Sequence, residues 1–163
     1  MTALPATNAP PPKRGAAHLA ETGAVTLKPL FNRSELEMYR LLEACVTEVS
    51  PALRVFGQVA LAEIAATDSR YTKGSAYHAV KERRLDFVVT DPATTPLIAA
   101  EFHGPWHETK RVQASDNVKR TILDRVGVPL LVIDYKMTDE ERKRTMITAL
   151  LRALGHRMTQ AVL

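Results

Sequence analysis

Two apolar segments that each carry one acidic residue constrain the fold of this chain more than any other feature. Residues 84–91 read RLDFVVTD and residues 97–107 read LIAAEFHGPWH, with a short Pro/Thr turn between them. Runs of β-branched and aromatic residues bounded by turn residues are typical of strands, so the sequence predicts two strands joined by a turn. Because successive side chains of a strand point to opposite faces, Glu101 and His103 are expected to share one face.

Asp86 lies inside the first strand, and Leu85, Phe87 and Val89 are predicted to lie on the face opposite to it. If the two strands pair, two carboxylates and one imidazole converge at one end of a small sheet. Oxygen ligands of this kind suit a divalent cation, and an imidazole beside the cation suits a general base. The alternative is that Asp86 lies on the solvated face of an antiparallel sheet and has no chemical role.

Length, composition and charge describe a soluble globular chain. The 163 residues suit one domain, and 45% of them are hydrophobic. A net charge of +4 and a pI of about 9.4 permit a polyanionic partner without requiring one. The single cysteine, Cys45, is expected to be a small core residue in a reducing compartment. Neither a membrane-spanning apolar run nor a signal core is found in the sequence, which favours a cytoplasmic location.

The chain divides into a tail, one domain and a second short tail. Residues 1–26 are rich in Ala and Pro and are predicted to be disordered. Residues 27–155 form the predicted domain, and residues 156–163 form a C-terminal tail. The predicted order of elements is α-β-β-β-α-β-α, which indicates an α/β fold with a mixed central sheet flanked by helices.

The first helix is predicted from its N-terminal signal. Asn32 is a favourable N-cap and Glu35 completes a capping box, although Glu35 would also suit a position facing the sheet. The interpretation as a cap is preferred. Pro51 ends this helix, and residues 54–61 follow as a strand.

The second long helix is predicted to begin at Ser115 and to end at Gly127. Lys119 falls inside the apolar arc of this helix, so its amine either reaches water along the side chain or points at an anionic group beneath the helix. Asp116 stands at the edge of the same arc, in the predicted first turn, where the helix dipole favours an acid in any case.

The last strand and helix follow directly. Residues 128–135 are almost entirely apolar, which is typical of a strand covered on both faces. Thr138 and Glu141 form a second capping box, and the helix that they open is predicted to end at Gly155.

Basic residues flank the two central strands. Residues 67–80 are predicted to be polar and irregular, and residues 104–114 form a second loop that contains His107. Cations interleaved with aromatic rings suit contacts with nucleic acid, although the same mixture describes an ordinary solvated loop. The candidate nucleic-acid-binding residues are Arg70, Lys73, Lys81, Arg83, Arg84, Lys110 and Arg111.

The order of these elements and residues resembles the PD-(D/E)XK restriction-endonuclease-like superfamily. Within that superfamily, DFVV at residues 86–89, the segment 101–107, D-x-x-K at residues 116–119 and GVPLLVI at residues 127–133 are similar to the very-short-patch-repair-like branch. The bacterial domain of unknown function 2726 is the nearest match within it. The resemblance covers residues 27–135 and rests on the order and spacing of these motifs.

The resemblance implies Mg²⁺-dependent or Mn²⁺-dependent hydrolysis of phosphodiester bonds in DNA by an endonuclease. It implies that Asp86 and Glu101 are metal ligands, with the carbonyl of Phe102 as a third. His103 stands where the superfamily motif has a lysine, which is a departure from the pattern. Lys119 would supply the missing cation.

His107 resembles the histidine that assists water attack in the patch-repair nucleases. The chain is therefore expected to be a DNA endonuclease, acting alone, as a homodimer or within a larger complex. One alternative is a non-catalytic DNA-binding module of the same fold, which the exchange at His103 favours. A second alternative is a regulatory protein-interaction domain.

Overall fold

The computed structural model describes residues 23–66, 75–104 and 110–160. It contains four helices and four strands over these ranges, together with one short 3-10 turn at Leu61–Glu63. Residues 1–22 of the predicted tail over residues 1–26, and the last residues, 161–163, lie outside this description. The helices are α1 (Arg33–Val49), α2 (Ser75–Lys81), α3 (Lys110–Val126) and α4 (Asp139–Gln160), and the strands are β1 (Arg54–Ala60), β2 (Arg84–Thr90), β3 (Pro96–His103) and β4 (Leu130–Asp134).

The strands form one mixed sheet in the order β1-β2-β3-β4. The pairs β1–β2 and β2–β3 are antiparallel, whereas β4 runs parallel to β3 after the α3 crossover. The predicted α/β fold with a mixed central sheet flanked by helices is therefore confirmed. Among the described residues, no helix is long and apolar enough to cross a membrane.

Helices cover both faces of the sheet, and each face has its own core. On one face, α1 and α4 bury residues such as Leu42 and Met146 against Phe87, Ile98 and Ile133. The opposite face is covered by α2 and α3 over a smaller core made of Leu61, Ala65, Val80, Leu85, Val88, Ala99, Leu123 and Val128. The candidate site lies on the α3 side, at the end of the sheet where β2 begins and β3 ends.

Both predicted capping boxes are present. At the start of α1, the amide of Glu35 donates to Asn32 Oδ1 at 2.9 Å and the amide of Asn32 donates to Glu35 Oε2 at 2.8 Å. Glu35 is therefore a cap rather than a site residue. At the start of α4, Thr138 and Glu141 bond each other in the same reciprocal way. Gly127 ends α3 as predicted, in the left-handed conformation with φ +72.

Three predicted boundaries are wrong. The segment predicted to be irregular contains helix α2, because Val80 packs into the core beside Leu61 and Leu85. Helix α3 begins at Lys110 rather than Ser115, because serine is tolerated within a helix as well as at its start. Helix α4 continues beyond Gly155 to Gln160.

The continuation of α4 has a visible cause. A glycine inside a helix costs about 1 kcal/mol relative to alanine, which packing and hydrogen bonding can offset. Ala153 is buried in the core, and Arg157 donates from Nη2 to the carbonyl of Pro96 at 2.7 Å. The helix is therefore held on both sides of the glycine.

Candidate active site

Glu101 is the buried acid around which the candidate site is built. It lies near the end of β3, beside Val132 of β4, and is 3% exposed. Across the part of the chain that the structure describes, it is the one buried residue with an acidic or basic side chain besides the thiol of Cys45. Alternation along β3 places Glu101 and His103 on the face of Ala99, which packs against α3 and its neighbours.

Lys119 reaches Glu101 from helix α3. Its Nζ donates to both carboxylate oxygens of Glu101 at 2.8 Å, and its side chain is 11% exposed. Of the two directions that the sequence allowed, the structure therefore shows the inward one. The contact pairs two charges that are both largely removed from water.

Asp86 is held beside this pair by the backbone of β3. The pairing of Phe87 with Ala100 brings the residues that lie next to them, Asp86 and Glu101, to the same end of the sheet. Asp86 Oδ2 accepts a hydrogen bond from the amide of Phe102 at 2.9 Å. The carboxylate of Asp86 is thus directed towards β3 rather than lying free on a solvated face.

One expectation about this strand is only partly met. Phe87 and Val89 pack in the core under α1 and α4, as predicted for residues opposite Asp86. Leu85 instead packs in the core on the other face, with Val88. Regular alternation therefore breaks at the start of β2, close to Asp86.

The acidic groups of the site outnumber the cation that neutralises them. Burial and then the charge of Asp86 are the main causes that raise the pKa of Glu101, which stands at about 7 when all its neighbours are included. Lys119 opposes this increase, and the charge of Asp116 adds to it. Lys119 therefore leaves negative charge near Glu101 uncompensated, so the site favours an additional positive charge.

Asp116 completes the cluster, and sequence reasoning did not count it among the site residues. His103 Nε2 lies 3.2 Å from Asp116 Oδ2, and the two side chains are 22% and 18% exposed. Because α3 begins at Lys110, Asp116 lies in the second turn, so the helix dipole does not explain its position. The available signal was its spacing of three residues from Lys119, which places both side chains on one face of the helix.

Several predicted site residues lie outside what the structure describes. His107, Arg70 and Lys73 belong to the ranges that are not described, and the side chains of Lys110 and Arg111 are not described either. Their predicted roles remain predictions.

The remaining basic candidates differ from one another. Lys81 is exposed at the end of α2, over the ring of Tyr77. Arg83 donates from Nη1 to the carbonyl of Ala79 at 2.8 Å, so this guanidinium caps α2. Arg84 is exposed and donates to the carbonyl of Gln58 at 3.1 Å. Lys81 and Arg84 are therefore better placed than Arg83 to contact a polyanion.

In the described part of the chain, the donor set of the site is two carboxylates rather than a closed metal cage. Among the described residues, no three His, Cys, Asp or Glu side chains form a group that could hold a metal ion. Asp86 and Glu101 nevertheless offer two carboxylates close to each other, and the negative charge of the nearby acids favours a positive charge there. Mg²⁺ is commonly held by one or two carboxylates and keeps several of its waters.

Comparison of the sequence with known proteins finds a matching family and related proteins. Residues 27–151 match the family described as "Protein of unknown function (DUF2726)". An uncharacterized protein of Haemophilus influenzae is 28% identical over 104 residues, which are 64% of this chain and 53% of that protein. The uncharacterized protein y4bI of Sinorhizobium fredii is 29% identical over 130 residues, 77% of this chain and 88% of that protein. The chain thus spans about half the length of the first relative. No solved structure matches it.

Proposed function

The chain belongs to the DUF2726 family of proteins of unknown function, and for it we propose metal-dependent endonucleolytic hydrolysis of phosphodiester bonds in DNA. We further propose that its mixed sheet is the core of a restriction-endonuclease-like fold of the PD-(D/E)XK type. The convergence of Asp86, Glu101 and Lys119 at one end of the sheet carries the proposal.

Stability alone gives little reason for this cluster. The desolvation of a buried ion pair offsets much or all of its Coulombic attraction, and apolar residues of similar volume are often as stabilising. Asp86 and Asp116 then add two further acids near the buried carboxylate of Glu101. A buried acid with a strongly raised pKa beside two further acids is more typical of a chemical site than of a structural core.

Asp86, Glu101 and the backbone carbonyl of Phe102 are the groups that would hold Mg²⁺ or Mn²⁺. A cation of this kind supplies a Lewis acid for the phosphate and lowers the pKa of a bound water. The protein contributes the fixed carboxylates, and the amide of Phe102 contributes the orientation of Asp86.

His103 and Asp116 are suited to handling a proton. His103 would accept the proton of the attacking water, and the Asp116 carboxylate at 3.2 Å from Nε2 would stabilise the imidazolium that forms. The arrangement compensates in part for the lysine that the superfamily motif carries at this position.

Lys119 supplies the positive charge from the neighbouring helix. In this structure its amine is bonded to both oxygens of Glu101. The Lys119 ammonium would stabilise the negative charge that develops on a phosphate held beside Glu101. His107, which lies outside the described residues, is proposed as a second group that assists water attack.

Nicking of supercoiled plasmid with Mg²⁺ or Mn²⁺ tests the proposal. Wild type is expected to nick the plasmid, and Asp86→Asn and Glu101→Gln are expected to lose this activity. Asp124→Asn is the matched control, because Asp124 is an exposed acid on the same helix as Lys119. Nicking that persists in both site variants would show that the chemistry is located elsewhere.

A DNA-binding module without catalytic turnover is the second candidate. The observation that favours it is His103 at the position of the motif lysine. Salt-sensitive DNA binding by a well-folded wild type that does not nick with either metal ion would establish this alternative. Binding would then survive Asp86→Asn and Glu101→Gln.

A further inference from the structure

Gln58 has a backbone conformation that its position in a strand does not explain. It lies within β1 and has φ +55. Thr94 is the other non-glycine residue with positive φ in the described ranges, but it lies in the turn between β2 and β3, where its amide donates to the carbonyl of Asp91. Tight turns often require positive φ, whereas strands do not.

The register places Gln58 beside Asp86. Gly57 pairs with Phe87 and Val59 pairs with Leu85, so the intervening residues, Gln58 and Asp86, lie opposite each other. Neighbouring strands are about 4.8 Å apart, a distance that a glutamine side chain spans. Gln58 therefore lies at the edge of the cluster that contains Asp86 and Glu101.

Both strands change the face towards which they pack at this position. Phe87 packs under α1 and α4, whereas Val59 and Leu85 belong to the core under α2 and α3. The left-handed residue thus lies at the level of the sheet where both strands change face. Arg84 supports the conformation by donating to the carbonyl of Gln58 at 3.1 Å.

A glycine would allow the same change of direction without the steric penalty of a side chain. Non-glycine residues that are strained in this way concentrate at functional sites. The side chain of Gln58 is half-buried, and its amide makes no hydrogen bond with the described part of the chain. The left-handed conformation therefore has a steric cost, and within the described ranges no hydrogen bond of the side chain offsets it.

We propose that Gln58 is a substrate-binding residue whose side-chain amide donates a hydrogen bond to a phosphate oxygen of the DNA strand that lies across Asp86. The inference rests on the proposed function and extends it to β1. An amide is suited to this task, because it binds a phosphate oxygen without adding charge next to the carboxylates.

The test compares Gln58→Gly with Thr94→Gly. Glycine relieves left-handed strain at both positions, so the melting temperature of each variant is expected to equal or exceed that of wild type. Only Gln58→Gly is expected to bind a short fluorescein-labelled DNA duplex less tightly, by about 10-fold, as for loss of a hydrogen bond to a charged group. Gln58→Asn keeps an amide on a shorter side chain that tolerates positive φ, and an intermediate loss is expected.

The outcomes separate this inference from the proposed function. Wild-type affinity in Gln58→Gly, with nicking that is lost in Asp86→Asn, overturns the role of Gln58 and leaves the nuclease proposal standing. A melting temperature of Gln58→Gly several degrees below wild type shows a structural role and also overturns the inference. Failure of wild type both to bind the duplex and to nick plasmid overturns both.

Discussion

The contact between Glu101 and Lys119 removes two charges from water at the centre of the candidate site. The two side chains are 3% and 11% exposed, and Lys119 is bonded to both carboxylate oxygens. Each charge compensates the desolvation of the other, so the pair is much more stable than either charge would be alone. At the scale of single residues, this contact governs both the stability of the site and its response to pH.

Removal of Lys119 is expected to destabilise the protein strongly. Lys119→Met leaves the Glu101 carboxylate buried without its cation, at a cost of about 3–5 kcal/mol in the free energy of unfolding. Urea denaturation at pH 8 measures this change. The matched control is Lys143→Met, which breaks an exposed pair with Glu48 and is expected to have little effect. Equal effects of the two variants would contradict the account.

The raised pKa of Glu101 also predicts how the stability of the protein changes with pH. Burial raises the pKa of its carboxyl from 4.5 to about 7, so between these pH values the folded state binds more protons than the unfolded state. The contribution of Glu101 to the free energy of unfolding is therefore fully present below pH 4.5. It falls by on the order of 3 kcal/mol as the pH rises towards 7. The neighbouring Asp86, Asp116 and Lys119 set the size of the effect.

Glu101→Gln is expected to flatten this dependence, because glutamine does not titrate. The measurement is the free energy of unfolding of wild type and variant across the same pH window. The difference between the two curves isolates the contribution of Glu101. Parallel curves would mean that Glu101 is already charged throughout the window.

At the scale of elements, the attachment of α1 to the edge strand β1 depends on a close approach at Gly57. The ring of Phe31, which precedes α1, occupies the space that a Cβ at Gly57 would need. The ring has little freedom to move, because it stacks on Tyr39 and contacts Phe87, with ring centroids 5.0 and 5.6 Å away. This packing ties the first helix to the strand that carries Gln58.

Gly57→Ala is accordingly expected to lower the free energy of unfolding by about 1–3 kcal/mol through overpacking. Gly155→Ala is the control, because the Cβ would meet nothing within 4 Å inside helix α4. That control is expected to stabilise the protein by about 0.5–1 kcal/mol, as alanine does in a helix. Thermal unfolding of both variants distinguishes the two effects, and a neutral Gly57→Ala would contradict the packing.

The elements that local signals specify were predictable from sequence, and those that depend on tertiary contacts were not. Alternation placed Glu101 and His103 on one face, and the helical arc gave Lys119 an inward direction as one of two options. The ion pair of Asp116 with His103 required the correct start of α3 at Lys110, whereas the sequence analysis placed that start at Ser115. The conformation of Gln58 depends on strand pairing and has no local signature.

At the scale of the whole molecule, a net charge of +4 accompanies an acidic site. The proposed binding of DNA would therefore depend on basic residues outside the site, of which Lys81 and Arg84 are exposed in the structure. Each phosphate contact contributes about 0.9 to the slope of log affinity against log salt concentration. The same basic residues would serve a nuclease and a binding module alike.

Lys81→Ala is therefore expected to reduce the salt slope of DNA binding by about 0.9. Arg83→Ala is the comparison, because Arg83 caps α2 at the carbonyl of Ala79. It is expected to leave the slope unchanged and to lower the melting temperature instead. Fluorescence anisotropy with a labelled duplex at several salt concentrations measures both, and an unchanged slope for Lys81→Ala would remove Lys81 from the interface.

The central claim is that the carboxylates of Asp86 and Glu101 hold a divalent cation, and calorimetric titration with Mn²⁺ tests it most directly. Wild type and the surface control Asp124→Asn are expected to bind Mn²⁺, whereas Asp86→Asn and Glu101→Gln are expected to lose that binding while remaining folded. Equal binding by all four proteins, or none by folded wild type, would contradict the account.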